Sequence, residues 1–311
     1  MPSSVPPAEV RPFRREDRDQ LTDLVNAHAA AVVPGVSASV NTVLSSLERR
    51  PDEFVTNPWV AEKLTWVLEA DQRIVGAAHL LRYRDTAEVG EDYRDSGELS
   101  WFIFLPDAGE AAGLLMSAVL AQFGRWSVRV RYADGLLPVP GVVGVPEPWP
   151  HVRSALERAG FVHTGDTEIL LLARVTDLPA PSPAPLPGLS VNRTVGDLGT
   201  RLTARLDGED LASLELDTSL ERAERHARSG GLADLSDLNL PDDADPALVR
   251  WLLGQAREWL ELCGVGRLLV SVYEGEDDAR ERDTLLSLGF RELTRTARGW
   301  RHTPSGEEPA R

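Results

Sequence analysis

The chain holds a single cysteine, Cys263, in 311 residues. No disulfide framework and no cysteine-type metal site can form within one chain. Cys263 follows a helical stretch and precedes an apolar strand, so it reads as buried filler. Lysine is equally scarce: Lys63 stands alone beside many arginines, which genome base composition explains without a functional reason. No apolar run nears the roughly 20 residues of a membrane span. The opening "MPSSVPPAEVRPFRRED" lacks the apolar core of a signal peptide, and a cytoplasmic protein is expected. The six histidines show no paired spacing, so no metal is expected. No Walker-type loop, serine nucleophile elbow or cysteine–histidine pair occurs.

Acidic residues are plentiful. The formal net charge is −16, and both halves of the chain are acidic. Nucleic acid and anionic lipid repel such a surface. A cationic or amine-bearing small partner suits it, and solubility alone also accounts for it.

The clearest boundary is "DLPAPSPAPLPG", Asp177 to Gly188, with five prolines. Such a stretch favours an extended spacer. Before it, the pattern predicts a strand at Glu9–Phe13, helices at Arg15–Val32 and Val40–Arg50, and a hairpin, Leu64–Ala70 with Arg73–Arg84, turning on Asp71-Gln72. A central strand follows at Gly97–Leu105. A helix from about Ala108 to Phe123 has Leu114, Leu115, Ala118, Val119 and Gln122 on its predicted inner face. A strand at Ser127–Asp134, a helix at Trp149–Phe161 and a closing strand at Glu168–Val175 complete the half. After the spacer, a hairpin (Arg201–Leu206, Leu211–Leu216), a strand (Leu232–Leu240), a strong helix (Asp245–Gly264), a strand (Arg267–Tyr273), a helix (Asp277–Phe290) and a final strand or hairpin repeat the order without the early helix pair. "ALERAGF" and "LLSLGF" are the matching marks of an internal duplication.

This order of elements, with the strand–loop–helix join and the late helix before "GF", resembles the GNAT superfamily of acetyl-CoA-dependent N-acetyltransferases. The resemblance implies an α/β (α+β) protein of two tandem GNAT-like domains, each a central mixed sheet flanked by helices. The first domain, 9–176, is the candidate active half. Residues 177–188 are the linker, and 189–303 form a trimmed second domain. In that family the join reads approximately Arg-Gly-x-Gly-x-Gly or Ala, and its backbone amides approach the CoA diphosphate at a helix N-terminus. The matching segment runs from Asp107 to Gly113, with Gly109, Ala111, Ala112, Gly113 and Leu114 as the cofactor cradle. It has no arginine, and Glu110 stands near the arginine's place. One like charge at about 5 Å opposes a phosphate by roughly 3 kcal/mol at an effective dielectric of about 20. Asp107 and Glu110 are also spaced as a capping box, so a helix cap and a CoA loop both remain open. At the second join, Asp245-Pro246 reads as a cap and first helical position, with no glycine and three aspartates, and phosphate is repelled.

The resemblance further implies a base on the strand entering the loop, which is Glu98, and backbone N–H groups near Phe104 and Leu105 that polarise the thioester. The family's tyrosine acid before "GF" is replaced by Leu156 and Leu285. Tyr132 is the substitute candidate. His151, at a helix start, is a candidate substrate contact. The loop Gly135–Trp149 reads as a wall or lid of the cleft, or as plain packing. The expected activity is transfer of an acetyl or other acyl group from acetyl-CoA, a co-substrate, to an amine on a small molecule or peptide. No nucleic acid or membrane partner is expected, and a homodimer is compatible with the sequence. The rival is a catalytically degenerate GNAT-like protein kept for ligand sensing or protein association; a third idea is an acyl-CoA-binding module without transfer.

Overall fold

A computed structural model describes residues 8–48, 59–218, 231–241, 244–275 and 278–303. The predicted helix end at Arg50, the helix start at Asp277 and the histidine at 226 lie outside the described residues. In chain order the elements are β1 (Glu9–Pro12), α1 (Arg18–Val32), α2 (Val40–Glu48), β2 (Val60–Ala70), β3 (Arg73–Tyr83), β4 (Ser96–Phe104), α3 (Gly109–Trp126), β5 (Val130–Ala133), β6 (Val145–Pro146), α4 (Pro150–Arg158), β7 (Val162–His163) and β8 (Thr167–Arg174). Then come β9 (Ser190–Val195), β10 (Thr200–Leu206), β11 (Glu209–Asp217), β12 (Leu232–Asn239), α5 (Pro246–Leu262), β13 (Arg267–Tyr273), α6 (Ala279–Ser287), β14 (Arg291–Ala297) and β15 (Trp300–His302).

Local chemistry explains most of these elements. Asp71 and Gln72 both take positive φ, 50° and 61°, the backbone that a two-residue hairpin with native twist requires. Pro150 opens α4 and Pro246 opens α5, where a missing N–H is no loss. The matched "GF" marks work because Gly160 and Gly289 adopt φ of 86° and 104° just past their helices.

The chain divides into two compact units, but not at the proline stretch. One unit is residues 1–167 with 296–311, the other 168–295. The expected boundaries of 9–176 and 189–303 therefore need correction. β8, the closing strand of the first half, belongs to the second unit. There it pairs antiparallel with β13 from Glu168↔Tyr273 to Arg174↔Arg267. β15, near the end of the second half, belongs to the first unit and lies between β5 and β7. The two halves have exchanged their last strands. Residues 177–188 are no free spacer either: Arg257 on α5 donates to the carbonyls of Thr176 and Leu178. A Cβ on Gly254 of α5 would come within 3.0 Å of the Ala180 carbonyl. The prolines fix an extended path that the helix surface then holds.

In the first unit the strand order is β1-β2-β3-β4-β5-β15-β7. β4 and β5 run parallel, and the other described pairs are antiparallel. α3 presents Ala112, Leu115, Met116, Val119, Phe123 and Trp126 to the core, and Leu114 is 52% exposed. The expected inner face fails at Leu114, because α3 carries small and apolar residues all around and its 3.6-residue period is blurred. In the second unit the order is β14-β8-β13-β12-β11-β10-β9. Where the first unit places the helix pair, β9 and β10 are joined by a tight turn, Gly196 N–H to Gly199 O at 2.8 Å. Buried Glu215 accepts the amides of that turn and pairs with Arg201 at 2.9 Å. The second unit is the trimmed copy. Cys263 is exposed rather than buried filler, since α5 ends at Leu262 and its last turn faces solvent.

Candidate active site

The parallel ladder between β4 and β5 is short. It pairs Ser96, Gly97 and Glu98 with Val130, Arg131 and Tyr132, then stops. β4 continues to Phe104, held on its other side by β3. Opposite β3, β4 carries a one-residue irregularity at Ser100, since His79 faces Trp101 and Leu80 faces Leu99. Bulges of this kind re-aim a strand beside a site. The two strands therefore part just beyond Glu98 and Tyr132.

Glu98 sits at that fork. The Tyr83 hydroxyl, from β3, donates to Glu98 Oε2. Burial pushes the Glu98 carboxyl up to about 7, against the lowering effect of the Tyr83 bond; nearby Asp134 pushes further and Arg298 opposes it. Burial, and then the charge of Glu98, drive the Tyr83 hydroxyl far above its ordinary value, so it stays a donor. The Tyr93 ring lies 5.4 Å from that of Tyr83 and 5.1 Å from that of Tyr132. Tyr132 is the register partner of Glu98, but its hydroxyl donates to the Asp92 carbonyl at 2.9 Å. Burial pushes its hydroxyl above the ordinary tyrosine value too, so it keeps its proton.

Beyond the fork the gap is filled. Leu136 N–H donates to the Ser100 carbonyl at 2.6 Å, and the segment folds back with Gly144 N–H on the Gly135 carbonyl, also 2.6 Å. Leu137, Val142, Val145 and Trp149 meet Leu99 and Trp101 around a cavity of about 20 Å³, room for roughly one water. Plain packing, one of the two readings of this loop, describes that arrangement.

At the far end of β4, Phe104 is fully buried. Its carbonyl lies 3.1 Å from His28 Nε2, and His28 Nδ1 is 2.9 Å from the Leu24 carbonyl. The His151 ring meets the Phe104 ring edge-on at 4.8 Å and lies 5.8 Å from the His28 ring. His151 Nε2 is buried with no hydrogen-bond partner among the described residues. Burial lowers both imidazoles below the ordinary histidine value. The Leu105 amide donates to the Val75 carbonyl at 2.8 Å. It is spent on β3, which corrects its expected role in polarising a thioester.

The capping box does not form. Residues Pro106–Ala108 make a single tight turn that leads into α3, and no side chain caps either start. Leu105 takes the cap position of that turn and Ala108 that of α3, so Asp107 caps neither, and Asp107 and Glu110 lie exposed. An added Cβ at Gly109 or Gly113 would meet nothing within 4 Å, leaving open space above the backbone there. Ala111 is half-buried and Ala112 is turned into the core. Asp107→Ala is accordingly expected to change stability by no more than about 0.5 kcal/mol, where loss of a cap costs about 1; urea unfolding measures it. At the second join Asp245 accepts the Ala247 amide at 2.8 Å, and Pro246 has no N–H to offer.

The sequence reading missed Tyr83, Asp134, Arg298 and His28. Tyr83 lies two residues beyond Leu81, which the pairing of β3 with β4 sets opposite Glu98, a register the sequence does not announce. Nor does it announce Arg298, because a gap of 164 residues separates it from Asp134. Among the described residues no group of three histidine, cysteine or acidic side chains could hold a metal ion. No described helix is long and apolar enough to cross a membrane.

No family model and no curated protein sequence matches the chain. Solved structures do. A tandem GNAT protein from the clavulanic acid biosynthesis pathway aligns over 97% of this chain and 100% of its own, at TM-score 0.66 and 15% identity. A GCN5-related N-acetyltransferase from Sphaerobacter thermophilus aligns over 97% and 98%, at TM-score 0.60 and 13% identity. A GCN5-related glucosamine N-acetyltransferase region of a fungal multi-domain GH3 beta-N-acetylglucosaminidase aligns over 94% of this chain at TM-score 0.63 and 15% identity, and the chain spans 38% of that protein. The fold is that of a tandem GNAT protein.

Proposed function

We propose, starting from the tandem GNAT-like fold, that the protein is an N-acyltransferase whose first unit moves an acetyl or other acyl group from CoA to an amine of a small molecule or peptide. The observation that carries this reading is Glu98, a carboxyl raised to about 7 at the fork between β4 and β5. A base poised near neutrality can take a proton from an amine as that amine attacks. Acetyl-CoA, when bound, supplies an acyl thioester.

The residues at the start of α3 fit its diphosphate in one respect and oppose it in another. Gly109 and Gly113 leave the backbone open, and no side chain caps the first amides. The exposed carboxylates of Asp107 and Glu110 weaken anion binding there. Tyr83 holds Glu98 by its hydroxyl and orients its carboxyl. Tyr132, with its proton committed to Asp92, serves as wall rather than acid, and the leaving thiolate takes its proton from water. His151 borders the Phe104 end of the strand and is our candidate substrate contact.

Calorimetry with acetyl-CoA tests the cradle. Gly109→Val is expected to weaken acetyl-CoA at least tenfold while leaving the melting temperature within a few degrees, since the new side chain enters open space. Equal affinity in both proteins would remove the cradle assignment. The filled gap beside Ser100 favours a second reading, a catalytically degenerate GNAT-like protein used for ligand sensing or association. Absence of heat at near-millimolar acetyl-CoA would select it.

A further inference from the structure

Asp134, which follows β5 directly, sits two residues beyond Tyr132, the register partner of Glu98. It would place a second negative charge beside the base. Its carboxylate is held from three directions, by Arg298 Nε at 2.6 Å, Arg298 Nη2 at 2.9 Å and the Gly299 amide at 3.1 Å. Both donors come from the short connection between β14 and β15, part of the segment exchanged into the first unit. A bidentate guanidinium fixes both place and charge.

We propose that Arg298 is a positioning residue for the base: by clamping Asp134 it neutralises the second carboxylate of the site and lets Glu98 carry the one free negative charge. This rests on the reading of Glu98 as the base. The groups facing Glu98 are Tyr83 on β3, Tyr93 from the turn at 91–93, Tyr132 on β5, Asp134 and Arg298. The tyrosines stay neutral near pH 7, so the Asp134–Arg298 pair sets the field there. Removing Arg298 leaves a bare carboxylate, and like charges resist ionising together. In the wild type Arg298 lowers, and Asp134 raises, the value that burial sets for Glu98. The connection that leads into the exchanged strand thus governs the charge beside the base.

The experiment is a carboxyl-carbon NMR titration of the full chain, with the Glu98 signal assigned through Glu98→Gln. In Arg298→Gln the Glu98 midpoint is expected to rise by about one pH unit. Adding Asp134→Asn to that variant should return it to near the wild-type position, and Arg298→Lys should fall between. A midpoint unmoved in a folded Arg298→Gln overturns the proposal. If Arg298→Gln does not fold, Asp134→Asn alone decides: its midpoint should drop, and no drop overturns the proposal. The titration needs no substrate. A shifted midpoint in a protein that binds no acetyl-CoA supports the coupling and removes the transferase reading. An unmoved midpoint in an active enzyme does the reverse.

Discussion

Glu98→Gln is expected to lower kcat about a hundredfold or more at pH 7.5, with acetyl-CoA affinity changed less than twofold. An alkylamine with a lysine-like pKa of about 10.4 is unprotonated in only roughly one molecule in 2,500 at pH 7. A group that accepts its proton during attack is therefore where the rate is gained. Glutamine keeps the size of the side chain and can still receive the Tyr83 hydroxyl, but it takes up no proton. The pH profile gives an independent check. The wild-type carboxyl is raised to about 7, so it is protonated below that pH and kcat should climb as pH rises through it. That limb should vanish in the variant. Stability has the opposite sign. A carboxyl whose folded value lies above its unfolded value binds its proton more tightly in the native state. Its contribution is full below about 4.5 and lost as pH rises to about 7. Glutamine removes this slope, so the variant's stability relative to wild type should grow between pH 5 and 8. Initial rates with an amine panel, and urea midpoints across that range, measure both. Unchanged kcat with an unchanged limb would strip Glu98 of its role.

Much of the architecture was legible because it is local. Hairpins at Asp71-Gln72 and Asp207-Gly208, helix starts at Pro150 and Pro246, and helix stops at Gly160 and Gly289 are each settled within a few residues. The duplication followed from repeating that order. The strand exchange was not legible. β8 and β15 have ordinary strand patterns, and nothing in an alternating run names the sheet it joins. The proline stretch misled for a related reason: composition prescribes an extended backbone, whereas Arg257 and Gly254 decide whether it packs. At the site, Glu98 could be picked out because the resemblance places an acid on that strand. Its setting could not. Tyr83 arrives by sheet register and Arg298 by exchange. The capping box failed because Leu105 caps the turn that Pro106 opens and Ala108 stands at the cap of α3, which leaves Asp107 at neither place. β9 was missed outright: it is an edge strand of mostly exposed residues, and its apolar alternation is too weak to register.

Trp300→Ala should cost about 3–5 kcal/mol, the range for emptying a large aromatic site, and its damage should appear far away in sequence. Trp300 is 1% exposed and among the largest fully buried side chains of the described residues. As part of β15 it faces Ala133 on β5 and His163 on β7. Its indole N–H donates to the Ala297 carbonyl at 3.2 Å, the His163 ring lies 5.2 Å away, and the Arg153 guanidinium stands over it at 5.8 Å. The side chain therefore closes a sheet whose other strands begin near residue 9. If the C-terminal strand completes the first unit, hydrogen exchange in the variant should accelerate at β5 and β7 before it does at β10 and β11, which contain no partner of Trp300. A domain order that follows the chain makes the contrary forecast, with β10 and β11 losing protection first. Since β5 carries Tyr132 and leads into Asp134, the same variant should also broaden the Glu98 titration as its neighbours loosen. Exchange confined to residues 189–295 would refute the exchanged-strand topology, and with it the route by which Arg298 reaches the base.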